Sequence, residues 1–385
     1  MQHFLCLPGA DRLRRAAAVC AIIVLTASGC ARAGEIRIGF LGSDLTDGGA
    51  EEMALMGAGL AMDEINGGGG LFGRTVTLIR ISYRGDRQRA VEAATRLGVE
   101  ERVTAIIGDL PTGIMRVVSP VCQANRVVTI STGAIGKGVE DAGDCIFRLP
   151  PAEERVAPPV AAYFTAGCGW TRFALVADAE EVGAPFVLDL YRAALSLNGG
   201  QIAAAATFAA GAGTKATAAL AAAEFDAIIF AGAPRNAAAF IAAARAAGLS
   251  QPVYAAGAGL SALLVRASAD AAGIIVAAGA DPNQPSPEQR RFRAAFVEKY
   301  GREPDAAAAR GYDAVCLLAA AMRAARSTKA DVYLPLLAAT SARSGAAGTL
   351  TYVAASRLPV YDPIFLLRLD RGSASLLAKL SQRDK

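Results

Sequence analysis

Residues able to do chemistry are few and widely spaced in this 385-residue chain. The one histidine, His3, precedes a segment that reads as a cleavable export signal, so the mature chain carries no imidazole. That excludes a Ser/His/Asp triad, a Cys/His dyad and the His-containing zinc sites. Asp63 and Glu64 are neighbours on one predicted helix and point apart, so they are not an acid/base pair. No nucleophile acquires a base by spacing, and a non-enzymatic role follows. Of the seven cysteines, Cys6 and Cys20 leave with the signal, while Cys122, Cys145, Cys168 and Cys316 remain in the mature chain. No C-x-x-C pair suggests a metal. Cys122 ends a predicted helix and Cys145 opens a strand on the same sheet edge, so a disulfide between them is expected, with buried free thiols as the alternative.

Two glycine turns remain as candidate sites. Gly108-Asp109-Leu110-Pro111-Thr112-Gly113 leaves a strand and enters a helix, whose first N–H groups lack internal partners. Such a turn can hold an anion with help from the Thr112 hydroxyl, or Thr112 can cap its own helix. Gly257-Ala258-Gly259-Leu260-Ser261-Ala262, with Asp281 beyond it, matches the dinucleotide fingerprint in outline. It lies in the fourth βα unit of its series and behind an export signal, so it is read as a tight βα turn and no cofactor is expected. Arg84, just past the second strand, and Asp109 are further polar candidates near the carboxyl ends of the strands.

The elements that position these residues alternate. Strand-like runs at 35–41, 75–80, 104–107, 127–130 and 145–149 are separated by amphipathic stretches at 49–66, 87–98 and 113–124. A second series has strands at 172–176, 201–208, 226–230, 252–255 and 273–276, with helices near 184–197, 214–223, 235–247 and 259–269. After a Pro-rich linker at 280–288 come a helix to about Tyr300, another from about Ala306 to Ala325, and strands at 348–353 and 363–369. This is an α/β chain with parallel sheets covered on both faces. The predicted first lobe is 34–150 plus about 281–355, and the second is 151–280 plus about 356–385, joined by a multi-strand hinge.

Ahead of them, Arg12, Arg14 and Arg15 precede an apolar run from Ala16 to about Ala27, shorter than the roughly 20 residues that span a bilayer. Two cleavage readings stand. Ala27-Ser28-Gly29-Cys30 resembles a lipobox, with a signal ending at 29 and a lipid on Cys30. Ala31-Arg32-Ala33 satisfies the A-x-A rule, with a signal at 1–33 and a soluble chain from Gly34. Either places the folded part in the periplasm. The signal also carries most of the surplus charge, so the mature chain falls from +4 to near neutrality, which argues against nucleic acid as a partner.

An ordered set of residues carries a resemblance. Ala61-Met-Asp-Glu-Ile-Asn66, Gly69-Gly-Leu-Phe-Gly-Arg74, Ala105-Ile-Ile-Gly108, Arg245-Ala-Ala-Gly-Leu249, Phe296-Val-Glu-Lys-Tyr-Gly301, Gly311-Tyr-Asp-Ala314 and Gly348-Thr-Leu-Thr351 resemble the branched-chain amino-acid (Leu/Ile/Val)-binding family. These are type I periplasmic solute-binding proteins of ABC importers. The resemblance implies two Rossmann-like lobes, a ligand cleft between them, a small-molecule ligand and permease subunits as partners. It places a carboxylate grip at Thr112 and Gly113 and at Gly133, Ala134 and Ile135, the last standing where a hydroxyl is expected. The ammonium grip of the second lobe falls on Val182, Ala233 and Ala258, none of which can supply it. The implied ligand is therefore a small carboxylic acid or a weakly polar molecule rather than a standard amino acid. A ligand-sensing receptor or scaffold of the same fold is the alternative, and a dinucleotide-dependent enzyme is a more distant one. Mass spectrometry of the mature N-terminus separates the two cleavage readings: an acylated Cys30 or an unmodified Gly34.

Overall fold

The computed structural model describes residues 34–43, 49–211 and 213–382; the export segment with Cys30 lies outside the described residues. Strands β1 (Ile36–Gly42), β2 (Val76–Ser82), β3 (Ala105–Gly108), β4 (Val128–Ser131) and β5 (Ile146–Arg148) form a sheet in the order β2-β1-β3-β4-β5, parallel throughout. Runs such as Ala105-Ile-Ile-Gly108 are buried on both faces, as a parallel sheet sandwiched by helices requires. Those helices are α1 (Ala50–Gly67), α2 (Arg87–Thr95) and α3 (Thr112–Ala124).

The chain then enters a second lobe through α4 (Glu153–Ala162). Here β6 (Arg172–Asp178), β7 (Gln201–Phe208), β8 (Ala227–Ala231), β9 (Val253–Ala256) and β10 (Ile274–Ala278) alternate with α5 (Ala184–Leu197), α6 (Gly213–Ala221), α7 (Pro234–Ala246) and α8 (Ala262–Ala267). It returns to the first lobe as α9 (Pro287–Tyr300), α10 (Ala306–Ala325) and α11 (Ala330–Ala338). A small antiparallel sheet, β11 (Arg343–Ser344), β12 (Thr349–Tyr352) and β13 (Pro359–Tyr361), then leads back to β14 (Ile364–Asp370) and β15 (Ser373–Leu380). These last two strands close the second sheet antiparallel, in the order β15-β14-β10-β9-β8-β6-β7.

Several elements depart from the sequence reading for identifiable reasons. The helix α4 forms even though it contains Pro158 and Pro159. The helix expected over 259–269 shrinks to Ala262–Ala267, because Gly257 and Gly259 are both left-handed and Ser261 caps the helix by accepting the Leu263 N–H at 3.2 Å. The expected Cys122–Cys145 bond is absent. Both are buried free thiols, Cys122 bonded toward the Thr129 hydroxyl and Cys145 toward the Asp144 carboxylate, and burial pushes each thiol up to about 11.

At the first crossing between lobes, the Arg148 side chain is completely buried. Its guanidinium donates to Glu140 at 2.6 Å, to the Ile135 carbonyl at 3.1 Å and to Glu154 at 3.3 Å. Behind the first sheet, α1 and α10 cross at backbone contact. A Cβ added at Gly57 would run into the Ala308 carbonyl oxygen, and one at Gly311 into that of Ala54. Gly57→Ala or Gly311→Ala should therefore cost about 2–3 kcal/mol in urea unfolding, because neither obstacle is the movable end of a side chain. Gly67→Ala, with nothing within 4 Å of the added carbon, should leave stability unchanged or slightly improved.

Candidate functional site

In the parallel part of each sheet the chain turns first to one side and then to the other. β1 leads to β2 while β3 pairs on its opposite flank, and β6 leads to β7 while β8 pairs on its opposite flank. At such a switch point the connections diverge and leave a crevice beyond the carboxyl ends of the strands, where open α/β sheets bind ligands. The two crevices face each other and share one chamber of about 410 Å³. The first lobe contributes Glu51, Tyr83, Asp109 and Gly113; the second contributes Glu181 and Ala233.

Among the described residues, three of the chamber's carboxylates are incompletely satisfied. Glu51 accepts the Ser43 N–H at 2.6 Å through Oε2, but its buried Oε1 accepts no hydrogen bond and has only Arg80 at 3.5 Å. Asp109 has one long bond, from the Thr132 hydroxyl at 3.5 Å. Glu181 accepts the Gly183 N–H at 2.8 Å and a bond from the Thr112 hydroxyl. Burial raises all three carboxyls above their ordinary values, and the charge on Asp109 pushes Glu51 and Glu181 further up. Asp178 differs, since both its oxygens are engaged by the Ala233 and Glu180 N–H groups and by the Asn236 amide, which builds the turn after β6. Of the arginines at the chamber, Arg235 is already paired with Glu180 at 3.0 Å. The remaining imbalance is negative.

Of the groups expected to hold a carboxylate, those of the loop after β4 are already bonded within the first lobe. The Thr112 hydroxyl accepts the N–H groups of Ile135 (3.3 Å) and Gly136 (2.9 Å), and the Ser131 hydroxyl accepts those of Gly133 (3.1 Å) and Ala134 (2.9 Å). No N–H of that loop is left for an anion. Nor is Thr112 a cap, because it is the first residue inside α3 and Pro111 occupies the N-cap. Ile135 presses its side chain toward Gly257, where an added Cβ would meet it at 3.0 Å, so the glycine of the dinucleotide-like turn makes room for a neighbouring side chain. Gly113, Val182, Ala233 and Asp109 line the chamber, whereas Ala258 is buried in the second-lobe core. Arg84 has positive φ and is exposed; Tyr83, Gly85 and Arg87 line the chamber from that turn instead.

Glu51 and Glu181 were not legible as site residues. Glu51 reads as a first-turn acid suited to a helix N-terminus, and Glu181 as a loop acid. The signal that could have found them is their place one connection after β1 and after β6, the first strand of each series. Among the described residues, no group of three or more His, Cys, Asp or Glu is arranged to hold a metal ion.

Around the chamber the two lobes touch through backbone. A Cβ on Gly136 would lie 2.9 Å from the Gly183 Cα, and one on Gly183 equally close to the Gly136 Cα. Behind the Gly257 turn, buried Glu153 accepts the Tyr191 hydroxyl at 2.8 Å and the Gly257 N–H, and Tyr191 meets the Tyr254 hydroxyl at 2.8 Å. Burial pushes the Glu153 carboxyl up to about 7.

The family described as periplasmic binding protein matches residues 35–373. No curated protein matches the chain. Among solved structures, the branched-chain amino acid substrate-binding protein LivJ from Streptococcus pneumoniae, in complex with isoleucine, is similar with a TM-score of 0.79 at 23% identity, covering 90% of this chain and 99% of its own. A leucine binding protein, LivK, from Thermotoga maritima gives 0.80 at 20%, with 90% and 99% covered. A solute binding protein from R. palustris in complex with benzoate gives 0.78 at 20%, with 90% and 96% covered. These likenesses establish the shared type I two-lobed fold.

The raised carboxyls set the sign of the pH dependence. A carboxyl raised on folding holds its proton more tightly in the native state, so its contribution to stability is present below about 4.5 and is lost as pH climbs through about 7. The thermal midpoint should fall between pH 5 and pH 8, and Glu153→Gln should remove a part of that fall worth about 1–3 kcal/mol. A profile that the substitution leaves unchanged would show that Glu153 does not titrate in this range.

Proposed function

The chain belongs to the periplasmic binding protein family, and from that premise we propose that it is the extracytoplasmic receptor of an ABC importer whose solute carries a cationic nitrogen, an ammonium or an amidinium group. The observation that carries this reading is the convergence of Glu51, Asp109 and Glu181 on the chamber at the facing switch points. An isolated buried charge is costly, and three like charges opening on one space raise one another's proton affinity. A positively charged group placed among them offsets both costs. Their arrangement is not that of a metal-ligand cluster among the described residues, which favours an organic cation. A chamber of about 410 Å³ suits a small solute. The small carboxylic acid implied by the Thr112 turn loses the Ile135 and Gly136 donors there, since those N–H groups are bonded to the Thr112 hydroxyl.

Capture follows from the placement of the acids. Glu51 and Asp109 stand on the first lobe and Glu181 on the second, so hinge closure brings the third carboxylate to a solute already seated on the other two. The protein's role is capture and delivery to a permease, not catalysis. It acts from the periplasm, either free after cleavage at Ala33 or held by a lipid on Cys30. Among the described residues no helix is long and apolar enough to cross a membrane.

A thermal-shift panel of agmatine, putrescine, cadaverine, arginine, leucine and benzoate, followed by calorimetry, tests the ligand class. Cationic solutes should stabilise the protein. Glu51→Gln and Glu181→Gln should each weaken their binding by about 1.5–3 kcal/mol, the worth of a hydrogen bond to a charged group. Equal affinity in both variants, or chamber binding confined to solutes without a positive charge, would sink this reading.

A further inference from the structure

A second chamber of about 590 Å³ lies on the hinge side of the cleft, beyond the ends of β9 and β10 rather than at the switch points. Ile135, pressed toward Gly257, lies on neither its lining nor that of the acidic chamber. The walls of the second chamber are largely apolar and come from both lobes: Leu260 and Ala278 from the second, Phe292 and Ala309 from the first, and Tyr361 from the crossing strand. One side chain in it is out of keeping. Arg310, on the first turns of α10, is 8% exposed, and its Nε donates to the Thr132 carbonyl at 2.7 Å. Among the described residues that is its only hydrogen bond, and no ion pair engages its terminal nitrogens.

The acids around the chamber do not supply the missing partner. Asp305 accepts the N–H groups of Ala307 (2.9 Å), Ala308 (3.1 Å) and Ala262 (3.2 Å). Asp281 accepts the Asn283 N–H at 2.9 Å, and Glu303 is held by both arms of Arg293 at 2.6 and 2.7 Å. The Asp109 carboxylate feels the charge of Arg310 but lies beyond ion-pair distance of it. With Nε satisfied by the Thr132 carbonyl, the two terminal amino groups open onto the chamber without a protein acceptor, and a planar fork is the shape that a carboxylate matches with two parallel bonds.

From these observations we propose that the hinge-side chamber is a second ligand site, taking a small monocarboxylate with an aromatic or branched aliphatic body. The carboxylate pairs with the Arg310 fork, and the body lies against Leu260, Phe292 and Tyr361. The site is independent of the cation reading above: it uses none of Glu51, Asp109 or Glu181. Because its walls come from both lobes, an occupant favours the closed arrangement.

Calorimetry on the full mature chain with benzoate, and with benzamide as its uncharged counterpart, tests the assignment. The wild-type protein should bind one benzoate and at least tenfold less benzamide. Arg310→Gln should weaken benzoate at least tenfold, and Leu260→Trp, which fills the chamber while keeping the guanidinium, should do the same. Glu181→Gln should leave benzoate affinity unchanged, which separates this site from the acidic chamber. Benzoate binding that survives both Arg310→Gln and Leu260→Trp would overturn the proposal, and so would equal affinity for benzamide or no binding of benzoate at millimolar concentration. If Arg310→Gln fails to fold, Leu260→Trp and the benzamide comparison decide alone.

Discussion

The buried guanidinium of Arg148 is the constraint on which the rest of the molecule depends. It stands at the point where the chain first leaves one lobe for the other, and it bonds to both sides of that crossing. Withdrawn from water, it is tolerable only while Glu140, Glu154 and the Ile135 carbonyl surround it. That demand fixes the loop from Gly133 to Glu140, and with it the position of Ile135. Ile135 in turn presses toward Gly257, and its backbone, with that of Gly136, occupies the Thr112 hydroxyl. A residue that lines neither chamber thus governs which polar groups are left to face the cleft.

What remains facing the cleft is divided by charge. Carboxylates collect where the strand order reverses in each sheet, while the unmatched guanidinium of Arg310 opens on the hinge side. Thr132 joins the two, since its hydroxyl reaches Asp109 on one side and its carbonyl accepts from Arg310 on the other. In a closed cleft of low polarisability such charges interact more strongly than they would in water. The position of the lobes and the protonation of the carboxylates are therefore linked quantities.

Much of the fold was legible because its signals are local and repeated. Short β-branched and aromatic runs such as Ile228-Ile229-Phe230 read as strands covered on both faces, and the observed β7 spans the same residues as its expected run. The elements that escaped lack such signals. Ser373–Leu380 alternates weakly and is a strand because β14 offers it an edge, and α4 forms around a proline pair that punctuates the sequence. The site was less legible than the fold. Thr112 was identifiable as special, but its partners are the N–H groups of a loop more than twenty residues away, and no spacing rule reports that a hydroxyl is already taken. Arg310 sits behind a run of four alanines in α10, where a lone charge reads as a solvated face. Its burial is decided by Thr132 and the crossing strands, which are distant in sequence.

The contact between Gly136 and Gly183 bears on how finely the closed form is set. The two lobes stop against each other at bare α-carbons, so the rotation available to the hinge ends only when backbone meets backbone. Such a stop has almost no give, unlike one made by the swinging end of a long side chain. One extra carbon atom at either glycine would keep the lobes from meeting as they do, and so change how their outer rims are spaced. Whatever surface the rims jointly present is thus calibrated by two hydrogen atoms.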